Sequence, residues 1–451
     1  MSAPTEDLPG FLADVLAEAG RRGATAADAF LVEDRSFSAQ VRLGQVDTVK
    51  HAREHHAALR VFVGTRVAAA STSDLSRASL DRLVDEAVSL ARITSPDELA
   101  GLPAAEALLR RIPDLDLHDG PGHELAPEDK IELARRAEGA ALAADPRITN
   151  SEGGEFADRQ ARYAYASSAG FAGEYRTSSF SLSTTPVAVQ DGEMQRDAWY
   201  HVARKRARLE SPEGIGRVAA ARALRRLGAR RVKTAEVPVI FDPPTAASLV
   251  RHVAAAVSGP ALYRRASFLV GKLEERIAAP AVTIVDDGTM PGALGSRPFD
   301  GEGLAIRPTP VVERGVLTSY LLDTYSGRKL GLPSTHHAAR DGTGVSVSTT
   351  NLYLAAGETD PAELIRSVGS GLYVTELIGF GVNGVTGDYS RGAVGLWIER
   401  GELAYPVEEV TVAGNLLEML QRVEGIGNDL EFRDRTAAPT VLIGRMVVAG
   451  A

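Results

Sequence analysis

The chain has 451 residues, 44% of them hydrophobic, which is enough to form the cores of two or three ordinary domains. It contains no cysteine, which excludes disulfides, cysteine-ligated metal centres and a thiol nucleophile. Its 50 basic and 59 acidic residues give a net charge of −9, so the overall charge gives no reason to expect nucleic acid or an anionic membrane as partner. The N-terminus lacks a signal-peptide pattern and no apolar stretch has the length of a membrane span, so we predict a cytoplasmic protein.

The first half of the chain combines helical and β patterns. Apolar residues from Leu8 to Ala19 recur at helical spacing, and the segment ending at Ser76 predicts the start of a second helix. Further helices are predicted over 128–144 and from Pro212 to Gly228, after an irregular connection over 93–127. Alternating or β-branched runs predict antiparallel strands at 29–33, 38–43, 59–63, 66–71, 149–156, 159–167, 170–182 and 186–196.

A charged segment over 230–236 is interpreted as a linker. After it, a strand over 237–241 leads into a helix capped by Asp242, and then glycine recurs among short β runs, with short helices at 361–369 and 416–424. We therefore predict an α+β protein of two domains. Residues 1–233 would form an α+β domain of sheet and helices, and residues 234–451 a mainly antiparallel, barrel-like β domain with few helices.

The nine histidines do not form a metal-binding pattern. His51, His55 and His56 lie in a predicted strand and are interpreted as solvent-exposed, while His336 and His337 are neighbours in a loop. His252 stands alone on the helix after Asp242. A zinc-peptidase helix carries His-Glu and a second His four or five residues on, but here Val253 replaces Glu, and Ala256 and Val257 replace His.

Other motifs have ordinary structural interpretations. The glycine pattern Gly379-Phe-Gly381-Val-Asn-Gly384 is not followed by a helical segment, so it does not indicate a dinucleotide site. Basic clusters at 204–208 and 225–233 are interpreted as solvated or partner-binding faces. The acidic pairs at 286–287 and 408–409 are interpreted as loop and strand-edge charges. From residue chemistry alone, the sequence does not identify an active site.

Longer motifs show a resemblance to a known family. They include Leu294-Gly-Ser-Arg-Pro-Phe-Asp-Gly-Glu-Gly303, Gly381-Val-Asn-Gly-Val-Thr-Gly-Asp-Tyr-Ser-Arg-Gly-Ala393, Glu408-Glu-Val-Thr-Val-Ala-Gly-Asn-Leu416 and Ile426-Gly-Asn-Asp-Leu430, with Arg60-Val-Phe-Val-Gly64 in the first half. On these motifs the chain resembles the TldD/PmbA family, also called modulators of DNA gyrase, and within it the PmbA or TldE branch. The resemblance covers essentially the whole chain.

The resemblance implies a cytoplasmic metallopeptidase system for proteolysis or peptide maturation, in which a TldD chain and a TldE chain form a heterodimer. In the TldD branch a helix carries His-Glu-x-x-x-His and a cysteine completes the metal site, whereas the PmbA branch typically lacks these residues. The corresponding segment here is Arg251 to Val257, and the chain has no cysteine. We therefore expect no cofactor on this chain, zinc on a TldD-like partner, and a heterodimer with that partner or a homodimer in isolation.

The resemblance also singles out residues that could bind a peptide or form the subunit interface. An extended peptide could add as a strand along the glycine-rich segments, although the same motifs could simply form tight turns and a barrel seam. Asp388 and Arg391 are candidates for an ion pair or for contacts to a peptide terminus. The predicted set is Asn383, Thr386, Asp388, Tyr389, Ser390, Arg391 and Asn415.

Two alternative functions remain open on the sequence. The chain could be a self-sufficient metallopeptidase with a non-standard metal site, for which His252 or the pair His336 and His337 would supply nitrogen ligands. It could also be a non-enzymatic adaptor, such as a modulator of DNA gyrase. A peptide substrate is expected for a peptidase, and neither a membrane nor nucleic acid is an expected partner.

Overall fold

The computed structural model describes residues 7–120 and 125–450, so part of the predicted connection over 93–127, and the extreme N-terminus, lie outside the described residues. The helices of the first half are α1 Leu8–Arg21, α2 Arg77–Ile93, α3 Pro127–Leu142 and α4 Pro212–Leu224. Its strands are β1 Ala26–Arg42, β2 Gln45–Val63, β3 Arg66–Thr72, β4 Ile148–Ser167, β5 Phe171–Gln190, β6 Glu193–Arg196 and β7 Trp199–Ala203.

These strands form one antiparallel sheet in the order β3-β2-β1-β4-β5-β6, and β7 also pairs with β5. The predicted breaks after residues 33 and 156 are wrong, because β1 and β4 run through them as single long strands. Polar residues such as Asp34 and Arg35 lie in the middle of β1, paired on both sides. Apolar residues of α1 and α2 pack on one part of the sheet, and α3 and α4 pack on another.

The second half begins with β8. Its helices are α5 Pro243–Ala256, α6 Gly259–Tyr263, α7 Thr324–Leu330, α8 Pro361–Ser367 and α9 Leu416–Gln421. Its strands are β8 Ala235–Phe241, β9 Ile284–Asp286, β10 Thr309–Glu313, β11 Val316–Leu317, β12 Ala338–Asp341, β13 Gly344–Val347, β14 Leu352–Leu354, β15 Ser370–Ile378, β16 Asp388–Glu399, β17 Glu402–Asn415, β18 Val423–Ile426, β19 Thr436–Ala437 and β20 Val441–Ala449.

The central feature of this half is a closed barrel of five strands. Strands β17, β16, β15, β8 and β20 follow one another, and β17 pairs again with β20 to close the ring. All of its pairs are antiparallel except β8 with β15. A second sheet has the order β11-β10-β9-β14-β19, and β12 and β13 form a hairpin. The α+β class and the barrel-like second half are therefore confirmed.

Helix α5 is packed between the barrel and the second sheet. It begins as predicted at Asp242, whose Oδ1 accepts a hydrogen bond from the Thr245 backbone N at 3.1 Å, with Pro243 in the first turn. Val250 and Val253 belong to the main core, while Arg251 and Ala255 are exposed. Arg251, His252 and Ala255 on the other side of the helix line the cavities beside it.

Buried charges connect the two halves of the chain. Asp28 on β1 is fully buried, and its carboxylate pairs with Arg60 of β2 and with Arg340 of β12, each at 2.6 Å. Gln195 also donates to Glu408 at 2.7 Å.

The domain boundary near residue 233 stays a prediction. No helix within residues 7–120 and 125–450 is both long and apolar enough to span a membrane.

Glu302 lies next to this cluster and is expected to make stability depend on pH. It is 1% exposed, and burial together with the neighbouring Asp300 raises its pKa to about 7, against the opposing charge of Arg60. Protonation therefore favours the folded state, and this stability is present below pH 4.5, the ordinary pKa, and is lost as the pH rises through about 7. A tenfold change in a protonation equilibrium corresponds to about 1.4 kcal/mol, so the loss should amount to a few kcal/mol.

Urea unfolding between pH 5 and pH 8 checks this expectation. Glu302→Gln keeps the shape of the protonated side chain, so the free energy of unfolding of this variant should fall less with rising pH than that of the wild type. Glu313→Gln is the matched control, because Glu313 is exposed on β10. An identical pH profile for Glu302→Gln and the wild type would contradict the assignment.

Candidate functional site

Two cavities lie beside α5, the helix that carries His252. The larger one, of about 760 Å³, lies between α4 and α5, and we call it the α4–α5 cavity. The smaller one, of about 440 Å³, lies between α5 and the loop that joins β15 to β16, and we call it the Phe380 cavity. Arg251 and Ala255 contribute to both, so the two cavities share the solvent-facing side of the helix.

The α4–α5 cavity is lined by several charged residues. Asp242 lies at the start of α5, and burial raises its pKa to about 6, against the opposing charge of Arg222, whose Nη1 is 3.7 Å from its Oδ2. Arg225 of the segment after α4 faces the same space, and its Nε and Nη2 are buried without a hydrogen-bond partner in the described part of the chain. Of the two interpretations of the basic cluster at 225–233, a solvated face does not fit Arg225, and a partner-binding face stays a prediction.

The Phe380 cavity contains two side chains with unused hydrogen-bonding capacity. His252 Nε2 and Arg391 Nε are buried and have no hydrogen-bond partner among the described residues. Burial, followed by the positive charges of Arg391 and Arg251, lowers the pKa of His252. Tyr389 packs behind them, with its ring 6.1 Å from that of His252 and its hydroxyl beside Arg391. These groups can donate hydrogen bonds to an acceptor that enters the cavity.

Four of the predicted residues hold the turn between β15 and β16 together. Asn383 Oδ1 accepts from the Val385 backbone N at 2.9 Å, and Thr386 Oγ1 donates to Asp388 Oδ2 at 2.6 Å. Asn415 Nδ2 donates to the Thr386 carbonyl at 3.0 Å, while its Oδ1 caps α9. These bonds fit the alternative that the motif forms tight turns and a barrel seam.

The remaining predicted residues lie on β16. Ser390 is exposed, and its backbone N donates to the Gly381 carbonyl at 2.7 Å. The glycine is required here, since a Cβ at position 381 would lie 1.8 Å from the Ser390 carbonyl oxygen. The expected ion pair between Asp388 and Arg391 does not form, because Asp388 bonds to Thr386 whereas Arg391 Nη2 donates to the Leu377 carbonyl at 3.2 Å. Tyr389 is buried, and within the predicted set Arg391 is the residue that lines the Phe380 cavity.

The loop after β15 is not a nucleotide site. Residues 379–387 turn back into β16 rather than into a helix, which confirms the interpretation of the glycine pattern as a β-loop segment. Phe380, in the middle of this loop, is fully exposed.

The residues around α5 do not fit a zinc ion. His252 is the only histidine of α5, and its neighbours Val253, Ala256 and Val257 have no metal-binding atom in their side chains. Arg251 and Arg391 also place positive charge near its imidazole. Thus a cation here would meet one imidazole and two guanidinium groups.

The loop histidines serve structural contacts. His336 Nδ1 donates to the Ala305 carbonyl at 2.6 Å. His337 is buried, and its two ring nitrogens lie 2.9 Å from Thr335 Oγ1 and 3.3 Å from Asp286 Oδ1. Asp286, interpreted as a loop or strand-edge charge, is instead 1% exposed and also accepts from the Thr350 backbone N at 2.8 Å. His337 therefore contacts β9 of the second sheet, and His336 contacts the segment that precedes β10.

A group of metal-ligand type does occur elsewhere. Within the described ranges, the one group of three or more such residues with ligand atoms within 4.8 Å of each other is His201, Glu210 and Glu431. Arg433 already pairs with both glutamates at 2.9 Å. His201 Nδ1 accepts from the Glu210 backbone N at 3.3 Å, so this group is better described as an ion-pair network.

Comparison with known proteins gives the class to which this fold belongs. Three family models match the chain: PmbA/TldA metallopeptidase domain 1 over residues 27–91, the central domain over 120–227 and the C-terminal domain over 234–450. The chain therefore belongs to the PmbA/TldD metallopeptidase family. Its sequence is similar to the metalloprotease PmbA of Escherichia coli O157:H7, with 39% identity over 92% of this chain and 90% of that one. A PmbA homologue from Haemophilus influenzae is 35% identical over 96% and 94% of the two chains.

Solved structures share the whole fold. A protein from Bacteroides thetaiotaomicron described as a modulator of DNA gyrase superposes with a TM-score of 0.91 and 29% identity, covering 99% of this chain and 100% of that one. TldE from Thermococcus kodakarensis has a TM-score of 0.88 at 21% identity, covering 97% and 99%. The resemblance inferred from the sequence motifs is thus confirmed.

Proposed function

We propose that this chain is the TldE-like subunit of a two-chain, cytoplasmic metallopeptidase that acts on peptides or unfolded polypeptides. In this proposal the zinc ion belongs to a TldD-like partner chain, and the present chain contributes peptide-binding surface. The observation that carries the proposal is the set of possible metal ligands at α5. A single imidazole, His252, faces Arg391 and Arg251, and among the described residues no carboxylate or second imidazole lines the Phe380 cavity with it.

The cavities beside α5 support a role in peptide binding. Together they offer the buried, unpartnered atoms Arg225 Nε and Nη2, His252 Nε2 and Arg391 Nε. Such donors are costly to leave unsatisfied, so a ligand rich in carbonyl oxygens would gain hydrogen bonds there. A peptide backbone presents one carbonyl oxygen per residue, and it can be bound through these groups without dependence on sequence.

Reconstitution tests this proposal. The chain would be co-purified with a TldD-like protein carrying His-Glu-x-x-x-His, and cleavage of an unfolded protein such as casein would be measured for each chain alone and for both together. We expect activity only with both chains present. Activity of the isolated chain with stoichiometric zinc would favour a self-sufficient peptidase, and a complex whose activity is unaffected by this chain would favour an adaptor.

A further inference from the structure

A third cavity, of about 600 Å³, lies between the two halves of the chain, and we call it the inter-half cavity. Tyr163, Tyr175 and Arg204 line it from the first half, and Arg297 and Phe299 line it from the second. It shares Ser348, Thr349, Asp434 and Arg435 with the α4–α5 cavity, so the two cavities adjoin. A ligand that occupies the space beside α5 could extend into it.

Several arginines line the inter-half cavity, and only some of them form an ion pair with a carboxylate of the protein. Arg159 and Arg340 also line it, but they are bound to Asp34 and Asp28. Arg204 donates instead to backbone carbonyls, including that of Ser178 at 3.1 Å. Of the two interpretations of its basic cluster, a solvated face does not fit Arg204, which lines a cavity, and a partner-binding face stays a prediction.

Arg297 is the least satisfied of these arginines. Its Nε is buried and has no hydrogen-bond partner within residues 7–120 and 125–450, and its Nη2 reaches the Ser348 carbonyl only at 3.4 Å. The acids at the cavity are Asp300 and Asp434. Asp300 is buried and accepts from the backbone N atoms of Glu302 and Leu304 at 2.9 Å, and Asp434 is exposed. Neither forms an ion pair with Arg297 within 4.0 Å, so the guanidinium can take a further acceptor.

Aromatic rings form the wall beside these arginines. Tyr163 and Tyr175 stack with ring centroids 5.1 Å apart, and Phe299 meets Tyr175 edge-on at 5.3 Å. Such a wall shields a bound charge from water, which strengthens its attraction to a guanidinium. The planar guanidinium also matches the geometry of a carboxylate, to which it can donate two parallel hydrogen bonds.

We propose that the inter-half cavity recognises a carboxylate group of a bound peptide, held by Arg297 with support from the charge of Arg204. The inference rests on the proposed function, because the bound molecule would be a peptide substrate. It adds that the protein prefers peptides with acidic residues or with a free C-terminal carboxylate. The protein as a whole has a net charge of −9, which would repel a carboxylate. The attraction must therefore come from the arginines at the cavity.

Binding of labelled peptides to the isolated full-length chain tests this inference. One unstructured peptide would carry two glutamates and an amidated C-terminus, a second would carry glutamines in their place, and a third would be the glutamine peptide with a free C-terminal carboxylate. We expect a carboxylate-bearing peptide to bind about 10- to 100-fold more tightly than the neutral one, as charge-assisted hydrogen bonds generally allow. Comparison of the glutamate peptide with the peptide that has a free C-terminus shows whether the cavity binds a side-chain carboxylate or the C-terminal one.

Arg297→Gln should remove that preference, so that the carboxylate-bearing and neutral peptides bind this variant equally, and Arg297→Lys should retain part of the preference. Arg217→Gln, the same charge change at an exposed position of α4, is the matched control. The inference would be overturned if the wild type bound all three peptides with equal affinity. It would also be overturned if inorganic phosphate competed for the cavity while peptides with a carboxylate showed no advantage. The assay needs no partner chain, so its failure is distinguishable from loss of partner-dependent peptidase activity.

Discussion

Replacing Asp28 with alanine is expected to lower the free energy of unfolding by about 3–5 kcal/mol, the usual cost of removing one member of a buried charge group. Asp28 is fully buried, and its carboxylate neutralises Arg60 and Arg340 and accepts from the Tyr165 hydroxyl at 3.2 Å. Burial alone would raise the pKa of Asp28, but the charges of Arg340 and Arg60 lower it to about 2. Its loss would leave two guanidinium groups without their carboxylate between the halves.

Chemical denaturation at neutral pH measures this effect. Asp34→Ala is the matched control, because Asp34 lies on the same strand but pairs with Arg159, whose side chain is 52% exposed. A pair with one partner at the surface contributes less than a fully buried group of charges, so the control should lose clearly less stability than Asp28→Ala. Similar losses in both variants would show that the Asp28 cluster does not join the halves as described.

Replacing Arg391 with alanine is expected to lower kcat/KM of the reconstituted peptidase about tenfold or more, with little change in Tm. The expectation follows from its position, since Arg391 lines the Phe380 cavity, and its interactions within the fold are the bond to the Leu377 carbonyl at 3.2 Å and the contact with the Tyr389 hydroxyl. A hydrogen bond from a charged group to a ligand is generally worth about 1.5–3 kcal/mol, which corresponds to this range.

The comparison would use peptide hydrolysis by the complex, with co-purification to report on assembly. Arg391→Lys keeps the charge and should retain more activity than the alanine variant, and Arg217→Ala on the surface of α4 should behave as wild type. Unchanged activity and assembly for Arg391→Ala would show that this side chain belongs only to the barrel seam.

Local patterns predicted the helices and the type of fold better than the extent of the strands. Helix α5 was identified from Asp242-Pro243 and its apolar face, because caps and periodicity are local. Strand β1 was divided by its polar centre, because only pairing with β2 and β4 shows that these residues remain in the sheet. Closure of the barrel through β17 and β20 depends on partners that are distant in sequence, so no local pattern could specify it.

The candidate site was only partly predictable for a similar reason. Family motifs identified Arg391, and the structure places it beside His252 in one cavity. Arg225 and Arg204 were interpreted as members of solvated or partner-binding basic clusters, since a sequence does not show which arginines the fold turns inward. Arg297 lies within the matching motif Leu294 to Gly303, which was the available signal, but its lack of an ion pair is visible only in three dimensions.

The zinc content of the purified chain tests the central claim most directly. After incubation with zinc and removal of the excess by gel filtration, the isolated chain should retain far less than one equivalent, and His252→Ala should not change that amount. The complex with a TldD-like partner should retain zinc in proportion to the partner. One equivalent of zinc on the isolated chain, lost in His252→Ala, would contradict the claim that the catalytic metal belongs to another subunit.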